Sequence, residues 1–270
     1  MTESDGTAGV VAGAVAGVVL AAGLGERLRP LTTLRPKALC PVGGVPLLDH
    51  ALDRLGPYVG ATAVNAHHFS DAVVAHVGDR AYVQVERPQP LGTAGALGLL
   101  RNWLDGRDVL LTNSDAYTPH GLAELVSGWD GERCRLLATP VRPGERADFV
   151  ADGTGVRYVG SSLLPWTAVR GLAPEPSGLY EVLWRDLPPS RLDLVVTGAP
   201  VVDCGRPTDY LAANLMASGG ASVIGEGAVV EGSVERCVVW PGAYVGPREH
   251  LVEVVRAGSR DRPLTVSAGA

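Results

Sequence analysis

An apolar strand that runs directly into a glycine-turned loop constrains this chain more than any other part of its sequence. The residues Val15 to Ala21 are apolar and rich in β-branched side chains, which predicts a short buried strand. The chain continues as LAAGLGERLRP over residues 20–30. Gly23 and Gly25 leave backbone N–H groups free to approach phosphate oxygens at the end of this strand. The loop therefore predicts a phosphate-binding site.

Two common phosphate loops do not fit this segment. No Gly-Lys-Ser/Thr follows at the P-loop spacing, and the third glycine of a dinucleotide-binding fingerprint would fall on Leu28. The remaining pattern is GxGxR, in which Arg27 is followed by the helix-breaking Pro30 and, ten positions after the arginine, by Lys37. This pattern resembles the signature of the sugar-1-phosphate nucleotidyltransferases, also called nucleoside-diphosphate-sugar pyrophosphorylases.

Strand and helix signals alternate along residues 15–220, which is typical of a parallel sheet covered by helices on both faces. The resemblance implies the same α/β architecture, a Rossmann-like three-layer nucleotidyltransferase domain. The predicted strands after the first are Ala61–Ala66, Tyr82–Val85, Asp108–Thr112, Arg135–Ala138 and Ala199–Asp203. The predicted helices are Pro46–Leu55, Ser70–Val77, Ala94–Leu104, Gly121–Trp129, Leu179–Leu187 and Thr208–Ala217.

The composition argues against several other classes of protein. A formal net charge of -6 disfavours a nucleic-acid-binding surface. The uncharged stretch from Gly6 to Gly25 follows acidic residues and runs into the loop, so we predict no membrane span there and a mobile tail over residues 1–14. The four cysteines show no metal-like spacing, which predicts buried thiols in a reduced, cytoplasmic protein.

After Gly220 the sequence has small and turn-forming residues between apolar ones and little helical periodicity. Ile224 and Val230 are six residues apart, and a second set with the same spacing follows, formed by Val239, Val245 and Leu251. This spacing resembles the hexapeptide repeat of a left-handed parallel β-helix, which we predict over residues 221–260, with a tail over 261–270. The alternative is a pair of β-hairpins. So short a β-helix needs the larger domain or a partner to complete its core, which makes a homo-oligomer possible.

Asp115 and Asp203 each end a predicted strand. Ligands of open α/β sheets sit outside the carboxyl ends of the strands, so we expect Asp115 on the same rim as the loop at Gly23. Magnesium prefers hard oxygen ligands and needs only one or two carboxylates beside phosphate oxygens. We therefore predict Mg²⁺ as the cofactor, with both aspartates as its ligands. The alternative for each aspartate is a helix-capping or turn role.

The resemblance supports the same two residues. Asp115 matches the aspartate at the end of the family's central strand, although the residue before it is Ser114 instead of glycine or alanine. Asp203 matches the aspartate of the family's DxGTP motif, which reads DCGRP in this chain. Arg206 thus adds a cation that the motif does not have.

The reaction that the resemblance implies joins two anions. An oxygen of a sugar 1-phosphate attacks the α-phosphorus of a nucleoside triphosphate, and pyrophosphate leaves. Such chemistry needs alignment and charge neutralisation more than covalent participation by the protein. Arg27 is expected to neutralise the departing phosphates and Lys37 to contact the α-phosphate or the sugar phosphate; with Asp115 they form the predicted catalytic set. A surface salt bridge is the alternative for Arg27 and Lys37.

The resemblance assigns selection of the base to the segment ERPQPLGTAG, which runs from Glu86 to Gly95. Thr93 or Glu86 can hydrogen-bond ring nitrogens or exocyclic amines of a base. The LGTAG string is most similar to that of mannose-1-phosphate guanylyltransferases, so GTP is the expected donor. The predicted nucleotide-binding residues are Ala22, Gly23, Gly25, Arg27, Glu86, Gly92, Thr93 and Asn113.

The sugar half of the site is less defined by the sequence. Gly160 matches a glycine whose backbone faces the sugar, and Glu181 is expected on a helix near it. The Glu-Lys pair that the family places before this glycine has no clear match between Val141 and Val159. A nucleotide-sugar sensor or regulatory subunit that keeps the fold without turnover is therefore the alternative function.

Overall fold

A computed structural model describes residues 14–142 and 144–267, so all but the last residue of the predicted N-terminal tail lies outside the described residues. The strands up to residue 203 are β1 Val15–Leu20, β2 Pro41–Val42, β3 Val45–Pro46, β4 Thr62–Ala66, β5 Tyr82–Val85, β6 Asp108–Asn113, β7 Ala116–Tyr117, β8 Cys134–Pro140, β9 Phe149–Ala151, β10 Thr154–Leu164, β11 Leu192–Val196 and β12 Val202–Asp203. The α-helices are α1 Leu47–Leu55, α2 Ser70–Val77, α3 Gly92–Leu104, α4 Ala123–Val126, α5 Trp166–Val169, α6 Leu179–Val182 and α7 Pro207–Ala217.

The central sheet has the order β11-β8-β10-β6-β1-β4-β5, with β9 paired to β10. Its strands are parallel except at β10, which runs antiparallel to β6 and to β8. The predicted parallel sheet therefore contains one antiparallel strand. β10 was not predicted, because its eleven residues mix polar and apolar side chains without strict alternation.

Helices cover both faces of the sheet, as the alternating signals predict. The side chains of β1 divide between the two faces, because successive residues of a strand point to opposite sides. Val15 and Val19 pack in the core that includes Leu48 of α1, whereas Ala16 and Val18 pack in the core that includes Leu97 of α3. The result is a three-layer α/β domain in which β1 is buried on both sides.

Most predicted elements up to β6 are confirmed within a few residues, but three later ones are shorter than expected. The helix predicted over Gly121–Trp129 is reduced to α4, and that over Leu179–Leu187 splits into α6 and a 3₁₀ turn at Trp184–Asp186. The strand predicted over Ala199–Asp203 is reduced to β12, which pairs with β7 instead of joining the central sheet. Pro and Gly residues around these segments limit their regular hydrogen bonding.

The C-terminal strands are β13 Val223–Ile224, β14 Val229–Val230, β15 Ser233–Glu235, β16 Val238–Val239, β17 Tyr244–Val245, β18 His250–Val252, β19 Val254–Gly258 and β20 Pro263–Ser267. Three sets of parallel pairs join them, β13 with β16 and β19, β14 with β17, and β15 with β18. The residues that share the six-residue spacing face one another in these pairs, Ile224 opposite Val239 and Val230 opposite Val245. Parallel pairing does not fit the alternative of two hairpins.

The last strand changes one predicted boundary. β20 runs antiparallel to β19, so residues 263–267 belong to the folded unit and not to the tail predicted over 261–270. The C-terminal strands share a core with the larger domain, in which the fully buried Trp240 donates from Nε1 to the hydroxyl of Tyr210 on α7 at 3.0 Å.

Candidate active site

The loop after β1 is held by contacts within its own segment. Gly25 has a φ of +64°, a left-handed conformation that favours glycine. A Cβ atom at this position would lie 2.8 Å from Cγ2 of Thr32 and 3.1 Å from Cβ of Lys37. The Thr32 hydroxyl donates to the Gly25 carbonyl at 2.9 Å. Gly25 thus allows the chain to fold tightly enough to bring Lys37 under the loop.

A buried polar network fixes the same loop from the side of β4. The side-chain oxygen of Asn65 accepts from the N–H of Ala21 at 2.6 Å, and its amide nitrogen donates to Glu86 at 2.8 Å. The other Glu86 oxygen accepts from the N–H of Leu91 at 2.7 Å. Asn65 was not predicted as a site residue, although a polar residue near the end of a predicted buried strand was the available signal.

This network bears on the role predicted for Glu86. Glu86 is fully buried and both of its carboxylate oxygens are engaged, so it supports the loop before α3 instead of facing a nucleobase. Burial favours this supporting role for Glu86 over the predicted contact with the base, which stays a prediction.

A first cavity, of about 200 Å³, opens between the loop after β1 and the start of α3. It is lined by Leu20, Ala21, Ala22, Gly23, Lys37, Ala38, Asn65, Pro90, Gly92, Thr93, Asn113, Ser114 and Asp115. Most of the predicted nucleotide-binding residues are in this set. The exceptions are Gly25, Arg27, which lines the neighbouring cavity, and the buried Glu86. The Thr93 hydroxyl accepts from the N–H of Leu179 at 2.7 Å.

Two carboxylates converge on Lys37. Its ammonium lies 2.9 Å from Oδ2 of Asp115 and 3.6 Å from Oδ1 of Asp203, and the residue is only 8% exposed. Asp203 reaches this position because β12 pairs with β7 and places it opposite Ala116, next to Asp115. Arg27 lies 3.5 Å from Oδ2 of Asp203. The structure thus brings together all four charged residues that the sequence predicted for catalysis and metal binding.

A second cavity, of about 270 Å³, lies on the other side of Asp115. Its lining consists of Arg27, Asn113, Asp115, Ala116, Arg157, Tyr158, Val159, Gly160, Val201 and Asp203. Gly160 has a φ of +88°, and a Cβ atom on it would lie 3.1 Å from the Asn113 side chain. Glu181, which was expected beside Gly160, is exposed on α6 and is not among the residues that line either cavity.

Arg54 of α1 supports the turn that carries Asp115. Its guanidinium donates to the Ala116 carbonyl at 3.0 Å and to the Thr112 hydroxyl at 3.4 Å. Burial lowers the pKa of Arg54 to about 10. Arg54 was not predicted as a site residue, since one arginine on an amphipathic helix carries no sign of its burial.

The two aspartates fit a magnesium ion. Oδ1 of Asp203 is buried and has no hydrogen-bond partner, which leaves it available as a ligand. No group of three or more His, Cys, Asp or Glu residues suited to a metal is found within the described ranges. A pair of carboxylates is enough for magnesium, because it keeps several waters and binds phosphate oxygens.

Comparison with known proteins identifies the family. A family model described as a MobA-like NTP transferase domain matches residues 17–229, which include every residue that lines the two cavities. The chain belongs to this family. Solved structures agree with the fold: a mannose-1-phosphate geranyltransferase from Thermus thermophilus superposes with a TM-score of 0.70 at 20% identity, covering 94% of this chain and 95% of that one. HddC from Yersinia pseudotuberculosis, complexed with GMP-PN, gives a TM-score of 0.61 at 20% identity over 74% of this chain and 98% of that one.

Several curated proteins that are similar to this chain are named as sugar nucleotidyltransferases. An N-acetylmuramate alpha-1-phosphate uridylyltransferase of Caulobacter vibrioides is 40% identical over 138 residues, 45% of this chain and 57% of that protein. A mannose-1-phosphate guanylyltransferase of Mycobacterium tuberculosis is 31% identical over 138 residues, 49% of this chain and 38% of that protein. The chain spans 53–57% of the length of the first curated relatives that it matches. Within residues 14–142 and 144–267, no helix has the length and apolar character needed to cross a membrane.

Proposed function

We propose that the protein transfers a nucleotidyl group from a nucleoside triphosphate to a sugar 1-phosphate and releases pyrophosphate. The observation that carries this proposal is the shared wall of the two cavities. Asn113 and Asp115 line both, with the phosphate loop and Thr93 on one side and Gly160 on the other. A donor in the first cavity and an acceptor in the second would therefore meet at Asp115, which is the arrangement that a direct transfer requires.

In this proposal an oxygen of the sugar phosphate forms a bond to the α-phosphorus, and the bond from the α-phosphorus to the oxygen that bridges it to the β-phosphate breaks. Lys37, held between Asp115 and Asp203, stabilises the charge that develops at the α-phosphate. Arg27, for which the sequence predicted a contact with the departing phosphates, lines the second cavity beside Asp203, so it would add positive charge on the acceptor side of the transfer. Asp115 and Asp203 would hold Mg²⁺, which supplies further neutralisation of phosphate charge when bound.

We infer GTP as the donor and mannose 1-phosphate as the acceptor. The support is the LGTAG string of α3 and the similarity to a mannose-1-phosphate guanylyltransferase of Mycobacterium tuberculosis. A second pair, UTP with N-acetylmuramate 1-phosphate, is favoured by the higher identity to the Caulobacter vibrioides uridylyltransferase. The four free, buried cysteines suit the reducing cytoplasm that we propose as the location.

One experiment tests the reaction and its substrates together. The protein is incubated with Mg²⁺, each of the four common nucleoside triphosphates and a panel of sugar 1-phosphates, and pyrophosphate release is measured. We expect release with GTP and mannose 1-phosphate. Release only with UTP and N-acetylmuramate 1-phosphate would replace both substrates and keep the reaction. If no combination of substrates releases pyrophosphate and the protein still binds a nucleotide sugar, the result would favour the alternative of a nucleotide-sugar sensor without turnover.

We further interpret the C-terminal strands as a short left-handed parallel β-helix that mediates self-association. The parallel pairs support the helix, and three apolar side chains on these strands, Ile224, Val229 and Val252, are 44–49% exposed. We expect Val252→Arg to lower the mass measured by sedimentation to that of a monomer. A wild-type protein that is already monomeric at all concentrations would contradict this part of the proposal.

A further inference from the structure

Buried polar atoms without partners are concentrated in the second cavity. Six such side-chain atoms occur in the described part of the chain, and three of them line this cavity: Oδ1 of Asn113, Nε of Arg157 and Oδ1 of Asp203. An unsatisfied buried polar atom costs about 1–3 kcal/mol, so native proteins keep few of them. Oδ1 of Asp203 faces the Lys37 ammonium at 3.6 Å and is the proposed Mg²⁺ ligand, so the atoms left for a polar ligand in this cavity are the Asn113 acceptor and the Arg157 donor.

The Arg157 guanidinium is the uncommitted cation of this cavity. Arg27 is paired with Asp203, and Lys37 is shared between the two aspartates. For Arg157, no ion pair or side-chain hydrogen bond is found among the described residues. A guanidinium without a carboxylate partner is suited to phosphate, because its planar fork matches two phosphate oxygens at once.

The position of Arg157 assigns it to one substrate. It lines the second cavity but not the first, three residues before Gly160 on β10. A phosphate that enters this cavity also approaches the carboxylates of Asp115 and Asp203, so a free cation is needed to offset their repulsion. We propose that Arg157 binds the phosphate of the sugar 1-phosphate and thereby sets the affinity for the acceptor. This inference rests on the proposed function, since it names how that site holds its second substrate.

Steady-state kinetics on the full chain test the inference. With each substrate varied in turn, Arg157→Ala should raise KM for the sugar 1-phosphate by about 10- to 100-fold, as expected for a lost hydrogen bond to a charged group. KM for the nucleoside triphosphate should stay within about twofold of wild type. Arg157→Lys should recover part of the loss, because it restores the charge but not the two-pronged geometry. Arg146→Ala, an exposed arginine on the preceding loop, is the matched control.

Equilibrium binding separates this inference from the proposed reaction. Calorimetric titrations of wild type and Arg157→Ala use mannose, glucose, N-acetylglucosamine and N-acetylmuramate 1-phosphates, and GTP and UTP in parallel. Wild-type binding of a sugar 1-phosphate that is lost in Arg157→Ala, with nucleotide binding unchanged, supports the inference even if no pyrophosphate is released. Equal losses for both substrates, equal affinities in the two proteins, or no wild-type binding of any sugar 1-phosphate would overturn it. Turnover with an unchanged KM in Arg157→Ala would overturn the inference alone and leave the reaction standing.

Discussion

The ammonium of Lys37 lies 2.9 Å from Oδ2 of Asp115, across 78 residues of sequence. The same nitrogen is 3.6 Å from Oδ1 of Asp203, so one nearly buried cation joins both carboxylates at the boundary between the two cavities. Without it, two carboxylates would repel each other at the place where two phosphate substrates are expected to meet. Lys37 is thus the centre of the charged cluster.

We expect Lys37→Ala to lower the rate of pyrophosphate release by about 10²- to 10³-fold, because a positioned charge is lost where negative charge develops. Arg29→Ala is the control, since Arg29 is an exposed cation of the same segment whose ion pair with Glu26 spans 4.0 Å. Thermal unfolding of both variants checks that they are folded. A Lys37→Ala protein that turns over at the wild-type rate would remove Lys37 from the mechanism.

Asp115→Asn and Asp203→Asn should each raise the Mg²⁺ concentration needed for half-maximal activity by at least about 10- to 100-fold, the loss seen when even outer-shell partners of a metal are removed. The amide lacks the negative charge that attracts the ion. Binding of Mn²⁺, followed by its electron paramagnetic resonance signal, provides a readout independent of turnover. Asp186→Asn, at an exposed aspartate beside Arg185, should bind Mn²⁺ as wild type does. Unchanged Mn²⁺ binding in both test variants would contradict the metal assignment.

Two glycines of the loop after β1 should respond differently to alanine. Gly25→Ala should lower the free energy of unfolding by about 1–3 kcal/mol, because φ is +64° and the new Cβ would press on Thr32 and Lys37. A Cβ on Gly23 meets no atom within 4 Å, but it would enter the first cavity. Gly23→Ala should therefore keep wild-type stability and raise KM for the nucleotide. Denaturant unfolding and steady-state kinetics measure the two effects, and equal destabilisation of both variants would refute the difference.

Glu86→Ala should destabilise the fold by about 1–3 kcal/mol, because the N–H of Leu91 and the amide of Asn65 lose their buried acceptor. KM for the nucleotide should rise as well, since Asn65 also fixes Ala21 in the loop after β1. Urea unfolding measures the first effect, with the exposed Glu132→Ala as control. Wild-type stability combined with an altered preference among nucleotides would instead support a direct contact between Glu86 and the base.

Three buried thiols should make stability depend on alkaline pH. Burial raises the pKa of Cys40 and of Cys204 from 9.0 to about 12, and that of Cys134 to about 11. Above pH 9 the unfolded chain releases these protons while the folded protein keeps them, so the free energy of unfolding should fall as the pH rises from 9 towards 12. Urea unfolding between pH 8 and pH 11 measures this fall, and Cys204→Ala should make it shallower. An identical slope in that variant would show that other groups cause the loss.

The sequence by itself determined the features that depend on neighbouring residues. The run from Val15, the glycines at 23 and 25 and the spacing to Lys37 predicted a strand followed by a phosphate loop, and the structure has β1 followed by that loop. The helices α1, α2 and α3 and the strands β4 to β6 follow from side-chain periodicity. Local φ and ψ preferences and the alternation of apolar residues act within a few positions, so a sequence displays them directly.

Only the tertiary structure decided which distant residues share the site. The pairing of β12 with β7 brings Asp203 beside Asp115, and the antiparallel insertion of β10 places Arg157 in the second cavity. Burial gave Glu86 a supporting role beside Asn65 that its sequence position did not indicate. Each of these outcomes depends on strands that are far apart in the chain and on hydrogen bonds formed once those strands are packed. Such pairings cannot be read from a residue's type and its neighbours along the chain. The packing energies that favour one pairing over another arise only between strands that meet in the folded chain.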